Sequence, residues 1–408
     1  MNASVPRLNT AFGLLVVPLA VVALCLWVID PLSFWREDLP LIRYHIDYDV
    51  YRHGGAAFLA GEPLYSQLYS VAGINLPFTY PPFAALLFSL LAVIPLELGS
   101  TLFTLATVAA LWHCVRLTLA HVGTTTPRAG TLAAVITMPL LFLEPVRETL
   151  GFGQINVLLM WLVMVDTLHG KDGSGLFGKF QGVGVGIAAA IKLTPAVFGL
   201  YFLVRKQWKA ASYAVASGVL CSALAWVISP ETSREYWMET VREPSRIGGL
   251  AWVTNQSFEG FLQRNPQLTE ASWLGLSLGL IPLVVIVMLL LVRRGAFPAA
   301  LLANAAVALL CSPVSWSHHW VWMAILLVYT GALAQRYWAT GRGRRRARAL
   351  AAVSGLTALI AGVGPHWLPS TALVLSEAYI LFTLALLVAV PAVVLCGGWR
   401  APTTPAPA

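Results

Sequence analysis

Charged side chains are scarce in this chain: Asp, Glu, Lys and Arg make up 11% of its 408 residues, against 58% hydrophobic. A mean hydropathy of +0.74 is far outside the range of soluble globular domains. The five cysteines, at 25, 114, 221, 311 and 396, lie in or beside apolar runs and form no CxxC pair. Neither a disulfide framework nor a zinc site is therefore indicated. The chain has no P-loop, no dinucleotide fingerprint and no HExxH, so a dedicated nucleotide cradle or metalloprotease centre is excluded. No basic segment is interleaved with aromatics in the manner of a nucleic-acid surface, although the formal net charge is +8. Internal repeats are not apparent, which weighs against a secondary transporter or flippase built from paired halves with matching interruptions.

What the chain has in abundance is apolar runs near membrane-spanning length. About twelve are expected, at 11–29, 80–96, 99–119, 131–144, 154–168, 182–204, 210–228, 272–292, 297–312, 319–335, 349–364 and 372–396. The runs at 131–144 and 154–168 are short, as tilted, broken or re-entrant segments would be. This predicts an all-α polytopic membrane protein, one domain over 1–400 with a disordered tail at 401–408. The first run is long for a signal peptide and lacks an Ala-x-Ala exit, so it reads as a retained signal anchor. Cys25 follows Leu24, too large a residue for a lipoprotein site.

Orientation follows from the basic loops. Arg205, Lys206 and Lys209, then Arg293 and Arg294, then Arg342, Arg344, Arg345, Arg346 and Arg348 are expected on the cytoplasmic side. Both termini then fall inside. The long loops 30–79 and 229–271 fall outside, together with the turn Ser315–His319. Arg116, Arg128, Lys171 and Lys179 do not fit this count, so the hairpin 120–181 is where it is least secure.

Scarce charge at a membrane boundary marks a functional site. The densest stretch is Ile46-Asp47-Tyr48-Asp49-Val50-Tyr51-Arg52-His53-Gly54-Gly55. Asp47 is the expected general base, unless it or Asp49 only caps the helix that runs to Ala60 and stops at Gly61. Phe78-Thr79-Tyr80-Pro81-Pro82 opens the next span, with its prolines where a first turn tolerates them and Tyr80 placed to line a cavity. Glu144-Pro145-Val146-Arg147-Glu148 leads into Gly153-Gln154-Ile155-Asn156. Arg147 either pairs with Glu148 or offsets a ligand phosphate. Gln154 and Asn156 either join helices or bind a sugar.

Lys192 stands mid-span beside Pro195, too far from the basic loop at 205 to snorkel, and needs an anion: a carboxylate or a ligand phosphate. The stretch Trp252–Arg264 has helical apolar spacing at Phe258, Phe261 and Leu262 and is expected to lie in the membrane interface. Within it, Asn255-Gln256-Ser257 matches a glycosylation sequon. Ser312-Pro313-Val314-Ser315-Trp316-Ser317-His318-His319-Trp320 carries tandem histidines able to bind metal, hold an anion or move a proton; without third-ligand spacing, a metal site is not expected. His319, or failing it His318, is expected to approach Asp47 across an outer cavity. The other reading leaves both rings as interface anchors beside Trp316 and Trp320.

A site facing outside receives no nucleotide sugar, so its donor would be carried in the bilayer on a lipid phosphate. Asp47-Tyr48-Asp49 also reads as the D-x-D of metal-dependent transferases, but fixed cations can stabilise a lipid-phosphate leaving group without metal or cofactor.

The ordered set Asp47-x-x-Val50-Tyr51, Phe78–Pro82, Gly153-Gln154-x-Asn156, Lys192-x-x-Pro195, Asn255-Gln256-Ser257 and Ser312-Pro313-x-Ser315-Trp316-x-His318-His319 resembles glycosyltransferase family 87. These are polyprenyl-phosphate-mannose-dependent α-mannosyltransferases of the GT-C membrane fold. The resemblance implies a polyprenyl-phosphate mannose donor and inversion at its anomeric carbon. It also implies a phosphatidylinositol mannoside acceptor joined in α-1,2 linkage. It places the catalytic aspartate at Asp47, because Asp49 cannot satisfy the Asp-x-x-Val-Tyr spacing. Polyprenyl-phosphate arabinose is the alternative donor. The expected catalytic pair is Asp47 and His319. The expected substrate-binding residues are His318, Lys192, Arg147, Tyr51, Arg52, Tyr80, Gln154, Asn156, Asn255, Gln256 and Arg264.

Overall fold

The computed structural model describes residues 44–124, 129–168, 176–267, 271–341, 343–368 and 373–395. The signal anchor, the 401–408 tail, Arg128 and Lys171 lie outside the described residues.

Helix α1, Ile46–Ala60, ends at Gly61, whose φ of 68° gives the left-handed cap that only glycine adopts without strain. Neither aspartate caps it. The N-cap is His45, with no side-chain cap bond. Asp49 is turned away, accepting from the Tyr44 hydroxyl at 2.7 Å and from Arg52 at 2.9 Å. Helix α1 lies close against α2, Pro82–Ala92, because Gly55 has no side chain: a Cβ there would stand 2.4 Å from the Phe88 carbonyl oxygen. Pro82 sits in the first turn of α2, as expected.

Between α1 and α2 the structure corrects the all-α expectation. Strands β1, Leu68–Val71, and β2, Ile74–Pro77, form an antiparallel hairpin with Leu68 opposite Pro77. Its turn is Ala72-Gly73, both at positive φ (49° and 78°), the turn hand that suits twisted strands. Alanine is an unusual residue there, so the local pattern gave little warning.

The remaining elements are α3 (Leu96–Val122), α4 (Ala129–Leu140), α5 (Glu144–Phe152), α6 (Asn156–Thr167), α7 (Val183–Ile191), a 3-10 turn (Thr194–Phe198) and α8 (Gly199–Val204). They continue with α9 (Trp208–Ile228), α10 (Pro230–Met238), α11 (Phe258–Arg264), α12 (Ala271–Arg293) and α13 (Phe297–Leu310). A 3-10 turn, Ser317–His319, precedes α14 (Trp322–Ala339), α15 (Arg344–Val363), α16 (Leu373–Ser376) and α17 (Ala378–Leu395). Helices pack mainly as the pairs α1–α2, α7–α9, α12–α13 and α14–α15, with α3 against α4, α6 and α14.

Helices thus occupy nearly all the expected apolar runs among the described residues, though most are shorter than a full span. Four are long and apolar enough: Leu96–Val122, Trp208–Ile228, Trp273–Arg293 and Arg344–Trp367. Counted as one span, the pair α4 and α5, bent by 85°, would be a fifth. Breaks at 141–143 and 192–193 interrupt the runs 131–144 and 182–204, and the break at 153–155 separates 131–144 from 154–168. The short run at 131–144 thus ends in a sharp bend, the geometry of a broken or re-entrant segment.

The segments assigned to the outer face meet one another. The Gln256 amide donates to the Ser315 carbonyl at 2.8 Å, and Arg246 donates to the Tyr65 carbonyl. The apolar side of helix α11 faces protein: Phe258 and Leu262 are buried, and the Ser257 hydroxyl caps the helix by accepting from the Gly260 amide at 3.0 Å. The sequon reading also falls. Asn255 is wholly buried, donating to the Leu250 and Pro313 carbonyls and accepting from the Ser315 amide.

Candidate active site

Three interruptions in helical structure build the site. Helix α5 stops at Gly153, where positive φ and close contact with His45 and Tyr48 leave no room for a side chain. The chain then turns Gln154 inward before α6 begins at Asn156. Helix α7 stops at Lys192, whose backbone is extended, because Pro195 cannot supply the next helical amide. The Ser317–His319 turn packs against α5 and delivers His319.

These three points and α1 enclose a cavity of about 540 Å³ lined by Asp47, Tyr51, Tyr80, Gln154, Lys192 and His319. Thr194, Tyr236, Glu243, Arg246 and Trp316 add to its polar and aromatic wall.

Gln154 Nε2 donates to Asp47 Oδ2 at 2.8 Å. The amide is oriented that way because its oxygen faces the hydroxyls of Tyr51 and Tyr80, at 2.9 and 3.1 Å, themselves 2.8 Å apart. The carboxylate is thus aimed by a buried polar triangle. Burial pushes Asp47 up to about 6, against the Gln154 hydrogen bond and the Lys192 charge, which pull it down.

Opposite it, Lys192 Nζ donates to Asn156 Oδ1 at 3.0 Å, lies 3.1 Å from His319 Nε2, and stands over the Tyr80 ring at 5.5 Å from its centroid. Among the described residues no carboxylate pairs with it. Burial first, and the Lys192 charge second, hold the His319 imidazole well below its ordinary range. A neutral ring accepts from Lys192 at Nε2 and carries its proton on Nδ1.

Asp47 and His319 both line the cavity, and among the described residues no direct hydrogen bond joins them. Gln154 takes the carboxylate, and Lys192 takes His319. Gln154 and Lys192 both lie at helix breaks and both line the cavity. His318 stays off the lining. Its ring meets Phe152 edge-on, and its carbonyl accepts from Thr149 at 2.9 Å and Asn156 at 3.0 Å. Asn156 therefore joins Lys192 to the histidine turn and does not line the cavity.

Other expected binding residues also lie off the cavity wall. Arg147 pairs with Glu148 at 3.2 Å, and Arg52 with Asp49. Arg264 clamps Glu377 at 2.6 Å, and Gln256 donates to the Val253 and Ser376 carbonyls. Asn255 holds the loop described above. Sequence reasoning missed Glu243 and Arg246, because single charges in a long outer loop are ordinary.

Comparison with known proteins places these features in context. The family model for glycosyltransferase family 87 matches residues 78–313. A polyprenol-phosphate-mannose-dependent alpha-(1-2)-phosphatidylinositol mannoside mannosyltransferase of Mycolicibacterium smegmatis is 37% identical over 328 residues, covering 74% of this chain and 73% of that protein. A protein of the same description from Mycobacterium tuberculosis is 37% identical over 313 residues, 72% of this chain and 71% of its own. An alpha-(1->3)-arabinofuranosyltransferase of Corynebacterium glutamicum is 28% identical over 45% of the chain and 42% of that protein. No solved structure matches.

Proposed function

Because the chain belongs to glycosyltransferase family 87, we propose that it is a membrane mannosyltransferase acting from a polyprenyl-phosphate donor. The proposed acceptor is a phosphatidylinositol mannoside and the new bond an α-1,2 linkage, as the names of its relatives describe. The observation that carries the mechanism is a single cavity with a carboxylate on one wall and the Lys192–His319 pair on another.

In this reading the acceptor hydroxyl oxygen attacks the anomeric carbon while the bond from that carbon to the phosphate oxygen breaks. Asp47 takes the hydroxyl proton, and the lipid phosphate departs with the bonding pair. Lys192 and the Nδ1–H of His319 stabilise the phosphate charge as it grows. One displacement converts a β-linked donor into an α-mannoside. Gln154, Tyr51 and Tyr80 hold the base in line.

The same reading places the protein in the plasma membrane as one multi-pass domain over 1–400. Its cavity faces the extracytoplasmic side, and about twelve segments enter or cross the bilayer. Two observations support this orientation: Arg344, Arg345, Arg346 and Arg348 at the start of α15, and the meeting of Tyr65 with Arg246 beside the cavity, which joins segments of the two long loops.

The test is to incubate purified protein with lipid-phosphate mannose and a panel of phosphatidylinositol mannosides. A mannose-mass increment on one acceptor, lost in Asp47→Asn, supports the proposal. No increment from the mannose donor, with transfer from lipid-phosphate arabinose instead, would replace the sugar while keeping the reaction class.

A further inference from the structure

Away from the reaction cavity, a hollow of about 410 Å³ lies among α12, α13, α14, α15 and α17. Among the described residues the two share no lining residue. The wall of the hollow is aliphatic and aromatic. Ala349 on α15 and Ala389 and Val393 on α17 line it and are exposed, so it opens sideways to the membrane between those helices. Its lining follows α14 from Trp322 to Tyr337, about 22 Å of helix rise. That exceeds half of a hydrocarbon core about 30 Å thick, so an acyl chain fits lengthwise.

One end of the hollow is basic. Arg345 and Arg346 line it, with Arg344 and Arg348 beside them in the first turns of α15. None of the described lining residues is acidic. A Cβ on Gly343 would lie within 4 Å of both Tyr337 and Arg346, so α14 and α15 meet at this end. Trp338, next to Tyr337, is 59% exposed, as suits an aromatic at headgroup depth. The other end lies behind the histidine turn. Trp320 and Trp322, just after His319, line it. Leu309 and Trp322 also line a space of about 50 Å³ bounded by Asn156, Lys192 and His319.

We propose that this hollow binds an anionic phospholipid of the surrounding membrane and that the bound lipid steadies the turn carrying His319. The headgroup phosphate sits at Arg345 and Arg346, whose guanidinium groups offer paired N–H donors to its oxygens. One acyl chain runs along α14, where apolar wall replaces apolar lipid. A basic pocket between spanning helices, open to the bilayer, has the chemistry that selects such headgroups. The lipid is neither donor nor acceptor: its charged end lies at the opposite end of α14 from the histidine turn. Its chain reaches Trp320 and Trp322, and packing there adds contacts behind the Lys192–His319 pair.

The test uses the full-length protein in phosphatidylcholine nanodiscs carrying one of two probes with the same diazirine-bearing acyl chain, phosphatidylglycerol or phosphatidylcholine. Wild type is expected to cross-link the phosphatidylglycerol probe within the hollow on the order of tenfold more than the phosphatidylcholine probe. Arg345→Gln with Arg346→Gln should bring that ratio toward one. Ala389→Phe, which narrows the opening and keeps both arginines, should reduce labelling of the hollow by either probe. Equal labelling of wild type by the two probes, the behaviour of a neutral lipid filling an apolar wall, overturns the proposal. So does labelling that neither variant alters.

The tie to the histidine turn is read from transfer kinetics as the phosphatidylglycerol fraction of the nanodisc is raised. In wild type kcat is expected to rise with little change in the donor KM, and in Ala389→Phe to stay flat. A wild-type kcat indifferent to that fraction overturns the support of the turn. Absence of any transfer would count against the mannosyltransferase reading and not against the lipid site, which the cross-links decide without activity.

Discussion

Lys192 Nζ stands 3.1 Å from His319 Nε2, and this contact sets the electrostatics of the site. Two full positive charges are not stable at that distance in an apolar wall. The ammonium is the charged member and the imidazole is neutral. One pair thus offers a fixed positive charge and, from Nδ1, a directed N–H donor to the same anion.

Asp47→Asn is expected to fold normally and to lower transfer by a factor of about 10²–10⁴, the range for loss of a general base. Asp49→Asn is expected to retain activity, because Asp49 faces Tyr44 and Arg52 and does not line the cavity. Initial rates on matched protein check this. A dead Asp49 variant beside an active Asp47 variant would reverse the assignment.

The acid limb of the pH profile is expected to belong to Asp47. A base works only when deprotonated, so kcat/KM rises with pH through about 6 and levels above it. Gln154→Leu removes a hydrogen bond that favours the ionised form. Its inflection is therefore expected at higher pH than in wild type. An inflection moved to lower pH would contradict the assignment.

Lys192→Met is expected to fold, since it removes an expensive buried charge, and to weaken donor binding more than it lowers kcat. His319→Ala should lower turnover strongly. His318→Ala should act less on turnover than on stability, because the ring packs on Phe152 away from the cavity. Donor titrations and thermal melts separate the two histidines. Equal kinetic losses with equal stability would refute the distinction.

Glu144 is a stability prediction. Fully buried, it accepts from Trp367 Nε1 at 2.9 Å and the Tyr379 hydroxyl at 2.7 Å, with His366 Nε2 at 3.4 Å. Glu144→Ala leaves those groups without their acceptor. The expected cost is about 3–5 kcal/mol, as for breaking a buried pair by removing one partner. Because α5 carries the histidine turn, transfer should fall along with the melting temperature. An unchanged melting temperature would show that the network is not supporting the turn.

Much of the site was legible before folding. The apolar runs name a membrane solvent, and within them Asp47, Gln154, Lys192 and His319 stand out because each polar group there needs a partner. Gly61, Gly153 and Pro195 mark real helix ends, since backbone sterics act within a few residues. The β-hairpin was not legible, because its turn holds Ala72 where Asn or Asp is usual. Nor was the inward face of α11, whose apolar spacing fits protein and lipid equally well.

The sequence by itself determined the solvent, the order of the polar stretches and the points where helices break, because each depends on local composition and backbone geometry. Only the tertiary structure decided which partners meet. Asp47 and Gln154 are 107 residues apart, Lys192 and His319 are 127 apart. Their pairing depends on how α1, α5 and α7 are rotated against one another. That rotation is set by close approaches such as Gly55 on Phe88 and Gly153 on Tyr48. Spacing along a chain gives no information on helix rotation, so it could not show that the hydrogen bonds of Asp47 and His319 go to Gln154 and Lys192.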